Sequence, residues 1–286
     1  MPVSVNSAFT TFHNYLIPST AERNAATQHR ASIVSKLEDS FGVDYTYEIG
    51  SLGNGTGIHD YVDLDIMVSI PEYNQRADSY NMLSAVKTAL EDRFPFSDFA
   101  VRTPAVRACF GVNDTEVVEV VPGYYQYATD GSNVYKIPDF NGAWQISSPR
   151  AHTIYVNGIN TQHSSKVKPL IRFIKAIKYY NNIPLSSFYL EMRVAKWASS
   201  QTSIYYSYDV KSLLSHLIST DLAALQDPIG IAGYIYGYST QAKKDEALSK
   251  LQTALTRAQK AVDAERDDNL DDAHFWWNMV FDGKFS

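Results

Sequence analysis

The chain has 286 residues, of which 45% are hydrophobic and 20% charged, apolar material enough for one large core or two adjoining ones. A net charge of −6 argues against a long nucleic acid as the main partner, since such partners select basic surfaces, whereas a small phosphorylated ligand needs only a local positive patch. The apolar runs are far short of a bilayer, and the opening MPVSVNSAFT lacks a basic stretch followed by an apolar one, so a cytoplasmic protein without membrane contact is expected.

Phe9, Phe12 and Leu16 recur at helical spacing. Ser19 then precedes Glu22 by three residues, a capping-box pattern, and predicts a long helix to Ser40 that ends before Gly42. A strand follows over Tyr45 to Ile49. Gly50-Ser51 closes it and opens a loop with Gly53, Gly55 and Gly57, where backbone N–H groups and one hydroxyl can approach a phosphate, or which is simply a turn. From Val62 to Ile70 apolar residues alternate strictly with Asp63, Asp65, Met67 and Ser69, the period of a half-buried strand. Asp63 and Asp65 therefore share one face. An unpaired charge in such a run is costly, so a divalent cation or a salt-bridged, solvated environment is expected there.

A helix is predicted from about Gln75 to Phe94, then short strands over Phe99 to Arg102 and Val106 to Phe110, with Cys109 as a small core residue. No disulfide or structural zinc site can be built from one cysteine and scattered histidines. In TEVVEVVP the valines around Glu119 predict a central strand that stops at Pro122; Glu119 is then buried and needs a partner, while Glu116 is out of phase and reads as a surface residue. The text YKIPDFNGAWQISSP is turn-rich.

The segment from Ser164 to Asn182 carries Val167, Leu170, Ile171, Ile174 and Ile177 as an apolar helical stripe, flanked by Lys168, Arg172 and Lys175, which are a solvated flank or a ligand-facing row. A helix over Leu213, Leu214 and Leu217, a loop at DPIGIAGY and a long helix over residues 241 to 264 follow. The 20 tyrosines read mostly as half-buried side chains, and His59 reads as a loop residue.

Gly50-Ser51, eleven intervening residues and Asp63-Leu64-Asp65 on a strand together resemble the signature of the nucleotidyltransferase superfamily that includes DNA polymerase beta. VEVVP is similar to the third-acid motif of its bacterial cGAS/DncV-like branch, the CD-NTases, with Glu119 where those proteins commonly carry Asp. FIK sets Lys175 where the family has a triphosphate-reaching lysine, and SFYLE resembles the family's Ser-aromatic-x-Leu-Glu helix. By that likeness Ser187 hydrogen-bonds the triphosphate, and Phe188 either stacks on the donor base or fills the core. The closing HFWWNMVFDGKF resembles the family's C-terminus, with Asp282 intervening before Gly283.

The resemblance implies an α/β (α+β) fold, a polymerase-beta-like nucleotidyltransferase sheet with a C-terminal helical lobe. Residues 1–155 would form the N-terminal helices and catalytic core and 156–286 the helical nucleotide-binding lobe, with nucleotides in the cleft between. It further implies that Asp63, Asp65 and Glu119 hold two Mg²⁺ ions, Mn²⁺ being the alternative, and that Gly50, Ser51, Lys175 and Ser187 fix a ribonucleoside triphosphate such as ATP or GTP. The implied product is a cyclic di- or trinucleotide used in bacterial anti-phage signalling, with a separately encoded protein activator or downstream effector as a partner the family allows. Two other readings stay open: a nucleotidyltransferase that extends RNA or tags a protein or small molecule, and a nucleotide-binding signalling protein without catalysis.

Overall fold

The computed structural model describes residues 3–111 and 116–285. Its elements run α1 (Val5–Leu16), α2 (Thr20–Thr27), α3 (Arg30–Phe41), β1 (Tyr45–Ile49), α4 (Gly50–Gly53), β2 (Asp63–Ser69), α5 (Ser79–Arg93), β3 (Asp98–Arg102), β4 (Ala105–Phe110), β5 (Glu116–Thr129), β6 (Ser132–Pro138), β7 (Trp144–Ser147) and α6 (Pro149–Gln162). They continue through α7 (Val167–Tyr180), α8 (Ser187–Ala198), α9 (Tyr206–Ser219), β8 (Leu225–Gln226), β9 (Tyr234–Ile235), α10 (Gln241–Arg266) and α11 (Leu270–Val280). Two compact units result. The sheet unit comprises Pro18–Tyr155 and Ile229–Gly233; the helical unit comprises Met1–Ile17, Val156–Pro228 and Tyr234–Ser286.

In the sheet unit the strand order is β1-β2-β5-β4-β3, with β6 extending from β5 and β7 from β6. β2 and β5 run parallel; their neighbours are antiparallel. Alternation along β2 sends Leu64, Ile66, Val68 and Ile70 into one core with Ile33 and Leu37 of α3 and Met82, Val86 and Leu90 of α5. Each side chain of that size contributes roughly 1.5–3 kcal/mol on full burial. The opposite face carries a smaller cluster of Met67, Ala105, Val121 and Tyr135. Two residues before Met67 and Val121 on that same face stand Asp65 and Glu119.

Three expectations need correction. The helix predicted from Ser19 to Ser40 has its capping box, but it breaks between α2 and α3. The break lies at His29, whose ring stacks on Phe110 with centroids 4.0 Å apart, so a tertiary contact overrides helical continuity. Glu116 is not a surface residue: its side chain is 19% exposed and its Oε2 lies 3.1 Å from His29 Nδ1. β5 does not stop at Pro122. The Gly123 carbonyl accepts from the Ile70 N–H, so Pro122 turns its nitrogen the other way, where pairing with β4 has ended at Val120 and pairing with β6 starts at Tyr124. The turn-rich passage is a hairpin of β6 and β7, closed by an Asp139 N–H to Ala143 carbonyl bond of 3.0 Å.

The helical unit is built around aromatic rings. Phe9 of α1 meets Phe173 of α7, Trp277 of α11 and Phe285 with centroids 4.9–5.0 Å apart, and both Phe9 and Trp277 are fully buried. Edge-to-face pairs of this kind add about 0.5–1.5 kcal/mol beyond area burial. The 26-residue α10 packs on α9 and α11 and buries Leu251, Ala254, Ala258 and Val262.

Candidate active site

β2 and β5 place two of the three acids side by side. The parallel register sets Asp65 opposite Glu119 and Asp63 opposite Val117, so Asp63, Asp65 and Glu119 share one face of adjacent strands. Burial pushes the Glu119 carboxyl above the usual carboxylate range, and the charge of Asp63 pushes it further. Arg107, opposite Glu119 on β4, a hydrogen bond with Asp65, and Arg102 on β3 pull the other way. Carboxyl groups crowded on one face of adjacent strands repel one another when ionised, and a bound cation would relieve that repulsion. An all-carboxylate oxygen set suits a hard divalent ion such as Mg²⁺.

The Gly50-Ser51 turn lies against Asp65. Ile49 pairs with Asp65 across β1 and β2, and Gly50 follows with a φ of +63°, a conformation that only glycine adopts without strain. A Cβ on Gly50 would lie 1.9 Å from Asp65 Oδ2. The loop from α4 to β2 is fastened twice. Thr153 Oγ1 donates to Asn54 Oδ1, and Glu22 holds the loop's far end. Glu22 Oε2 accepts from the Ser19 N–H and Oγ and lies 2.9 Å from His59 Nδ1, while Oε1 accepts from the Asp60 N–H at 2.8 Å. A carboxylate only accepts, so His59 Nδ1 carries the proton. Desolvation raises the Glu22 carboxyl, and these bonds together outweigh it and bring it down to about 2. Among the described residues Glu22, His59 and Asp60 also have donor atoms within 4.8 Å of one another, but Glu22 already spends both oxygens on the clasp. His59 is thus a loop residue with a structural task.

The helical unit carries the remaining sequence-predicted residues. Lys175 is 1% exposed in α7, between Ile171, Ile174 and Ile177. Ser186, one residue earlier than Ser187, is the N-cap of α8, its Oγ accepting from the Tyr189 N–H. The Ser187 hydroxyl is engaged elsewhere, accepting from Lys178 Nζ at 2.7 Å and lying 3.0 Å from the Tyr179 hydroxyl. Phe188 is 41% exposed, so its ring does not fill a core. Two cations were missed by sequence reasoning. Lys178 continues the Lys168, Arg172, Lys175 row by a further three residues, a visible signal; Arg107 becomes a neighbour of Glu119 only through the β4–β5 register.

Residues 3–160 match the profile of a family described as SMODS, the Second Messenger Oligonucleotide or Dinucleotide Synthetase domain. The chain is 27% identical over 246 residues to a cyclic AMP-AMP-AMP synthase from an Acinetobacter strain, across 80% of this chain and 66%, just under two thirds, of that relative's length. Its fold is similar to that of Escherichia coli MS115-1 CdnC, solved with ATP and in complex with HORMA-deltaN, with a TM-score of 0.74, 17% identity and 98% of each chain covered. A mutant of the Vibrio cholerae di-nucleotide cyclase DncV gives a TM-score of 0.75 at 13% identity over 100% of this chain and 97% of that one. The expected fold, a nucleotidyltransferase sheet with helical regions, is the one observed.

Proposed function

The chain belongs to the SMODS family of second messenger oligonucleotide or dinucleotide synthetases, which are nucleotidyltransferases, and from that premise we propose that it joins ribonucleoside triphosphates into a cyclic di- or trinucleotide with release of pyrophosphate. ATP is the first substrate to test, given the cyclic AMP-AMP-AMP synthase among its relatives. One observation carries the reading. Asp65 and Glu119 are register partners on parallel strands, with Asp63 on the same face and Gly50 pressed against Asp65.

Asp63, Asp65 and Glu119 would hold two Mg²⁺ ions, which when bound lower the pKa of an acceptor hydroxyl and neutralise the departing pyrophosphate. The Gly50-Ser51 turn would orient a triphosphate for in-line attack on its α-phosphate; by family likeness Lys175 and Ser187 are the helical unit's phosphate contacts and Phe188, 41% exposed, its contact to the donor base. Arg107, opposite Glu119, favours the ionised form of that half-buried carboxyl. A second transfer within the linear intermediate closes the ring. By family likeness the product is a bacterial anti-phage signal, and the CdnC complex with HORMA-deltaN makes a separately encoded protein activator the partner to seek.

The test is incubation of the purified protein with labelled ribonucleoside triphosphates and Mg²⁺ or Mn²⁺, followed by phosphatase, chromatography and mass spectrometry. A phosphatase-resistant product absent from the Asp63→Asn/Asp65→Asn double variant supports a cyclase. Label entering RNA or protein, and no small product, points to a tagging enzyme and sinks the proposal.

A further inference from the structure

The sheet unit ends in an open edge whose charges are arranged to meet a copy of themselves. β3 pairs with β4 on one side only and stands last in the strand order β1-β2-β5-β4-β3. An unpaired edge is a template for another strand, and proteins that keep it solvated usually blunt it with lysines, proline or a bulge. β3 has no lysine, no proline and no register shift. It reads DFAVR, with one acid and one base set symmetrically about Ala100.

Alternation puts Asp98, Ala100 and Arg102 on one face of β3 and Phe99 and Val101 on the other. Ala100 stands opposite Arg107, and Arg107 opposite Glu119, so the first three lie on the face of the acids, while Phe99 packs against the core beneath. Asp98 and Arg102 are exposed, and among the described residues neither has a salt-bridge partner, although Arg102 is near enough to act on Glu119 through its charge. In an antiparallel pairing of two copies about Ala100, Asp98 of each lies opposite Arg102 of the other, Phe99 opposite Val101, and Ala100 opposite itself. Moving the centre to Phe99 or Val101 sets Asp98 opposite Ala100 or Pro104, and both ion pairs are lost. β1, at the far end of the same order, lacks this symmetry: about Tyr47 its one charge, Glu48, faces Thr46. Phe96 adds apolar area. It is fully exposed in the turn closed by the Ser97 N–H to Phe94 carbonyl bond just ahead of β3, and the register about Ala100 brings Pro104 of the second copy to that end.

We propose that β3 is an interface between two copies of this chain, joined edge to edge in antiparallel register about Ala100. Such a contact is isologous, each copy giving the same patch, and its two-fold axis passes between the two Ala100 side chains, which are small enough to meet there. The two sheets become continuous, with Asp63, Asp65 and Glu119 of both copies on one side. One short strand from each copy makes a small contact, so association depends on concentration.

The experiment is sedimentation equilibrium of the full chain over about a hundredfold range of concentration, beside Asp98→Arg, Arg102→Asp and the double reversal Asp98→Arg/Arg102→Asp. Wild type is expected to pass from monomer to dimer across that range. Each single reversal should weaken the dimer by roughly tenfold or more, since the two-fold axis doubles every change. The double reversal restores opposite charges in the same register and should return the affinity to within about threefold of wild type. Ala100→Cys gives a readout that does not depend on charge. A cysteine on the axis is expected to form an intermolecular disulfide under mild oxidation, whereas wild type, with only the buried Cys109, is not. Wild type that stays monomeric throughout leaves this edge to solvent or to an extended segment of another protein and overturns the proposal. A dimer that none of the charge variants changes lies elsewhere on the surface and overturns it too, and a double reversal no tighter than the singles refutes the register. Should a reversal fail to fold, the cross-link decides alone, and its absence in Ala100→Cys counts against the interface.

Discussion

A methyl group added to Gly50 would stand 1.9 Å from Oδ2 of Asp65, so the turn and the acid occupy space that only the absence of a side chain makes available. The backbone there also has a φ of +63°, which costs an alanine about 1–2 kcal/mol before any clash. Glycine is required twice over. The Gly50→Ala variant is therefore expected to displace the Asp65 carboxylate, reducing activity by at least a hundredfold while lowering the melting temperature by only a few degrees. A variant as active as wild type would show that Asp65 needs no fixed place.

Glu119, one of the three proposed metal ligands, is expected to cost the fold stability when no metal is bound. Burial and Asp63 raise the Glu119 carboxyl above its unfolded value, so its protonated form stabilises the protein at low pH and that contribution is lost as pH rises through the raised value. At pH 7.5 in EDTA the Glu119→Gln variant is accordingly expected to melt above wild type, and the difference to close below about pH 4, where wild type is protonated in both states. Mg²⁺ should raise the wild-type melting temperature and leave that of Glu119→Gln unmoved. Inactivity with higher apo stability marks a functional site; inactivity with lower stability would mark a structural one.

How much of this was legible in the sequence follows from which forces are local. The β2 alternation and the Ser19–Glu22 capping box are written in residue order, and both formed. Leu64, Ile66, Val68 and Ile70 bury as their period requires. The kink at His29 was illegible because its cause, Phe110, is 81 residues away. Pro122 misled for the same reason: whether a missing N–H ends a strand depends on which neighbour lies on that side. In the site, residue types and spacing pointed to Asp63, Asp65 and Glu119, but the Arg107 partnership is a property of register between strands, and the closeness of Gly50 to Asp65 a property of backbone path.

Arg107 offers a pH test of the same arrangement. Its guanidinium lowers the Glu119 carboxyl, opposing burial and Asp63. Metal binding needs the ionised form, so activity should rise with pH along an acid limb set by this group. Replacing Arg107 by Ala removes a lowering influence and should move that limb to higher pH, with Arg107→Lys shifting it less. Identical limbs in wild type and Arg107→Ala would mean that Glu119 does not govern the profile.

A second pH effect belongs to the helical unit and should leave the chemistry untouched. Arg172 Nη1 lies 2.9 Å from His13 Nε2, and because a guanidinium only donates, Nε2 accepts and the ring is neutral. Burial, aided by the Arg172 charge, holds the His13 pKa down to about 4. Above the unfolded value of about 6.5 both states are neutral there and nothing depends on pH. As pH falls from that value, the unfolded chain takes up a proton that the folded one refuses, so stability declines until the folded ring titrates as well. The full shift sets an upper limit of about 3 kcal/mol, and solvent screening of a half-buried ring reduces it to roughly 1–2 kcal/mol. Denaturant unfolding of wild type between pH 7 and 4 should show this decline, and His13→Gln, whose carbonyl can accept from Arg172 at every pH, should show a shallower one. Parallel slopes would mean that Arg172 and His13 do not form this pair in solution, since no other group differs between the two proteins.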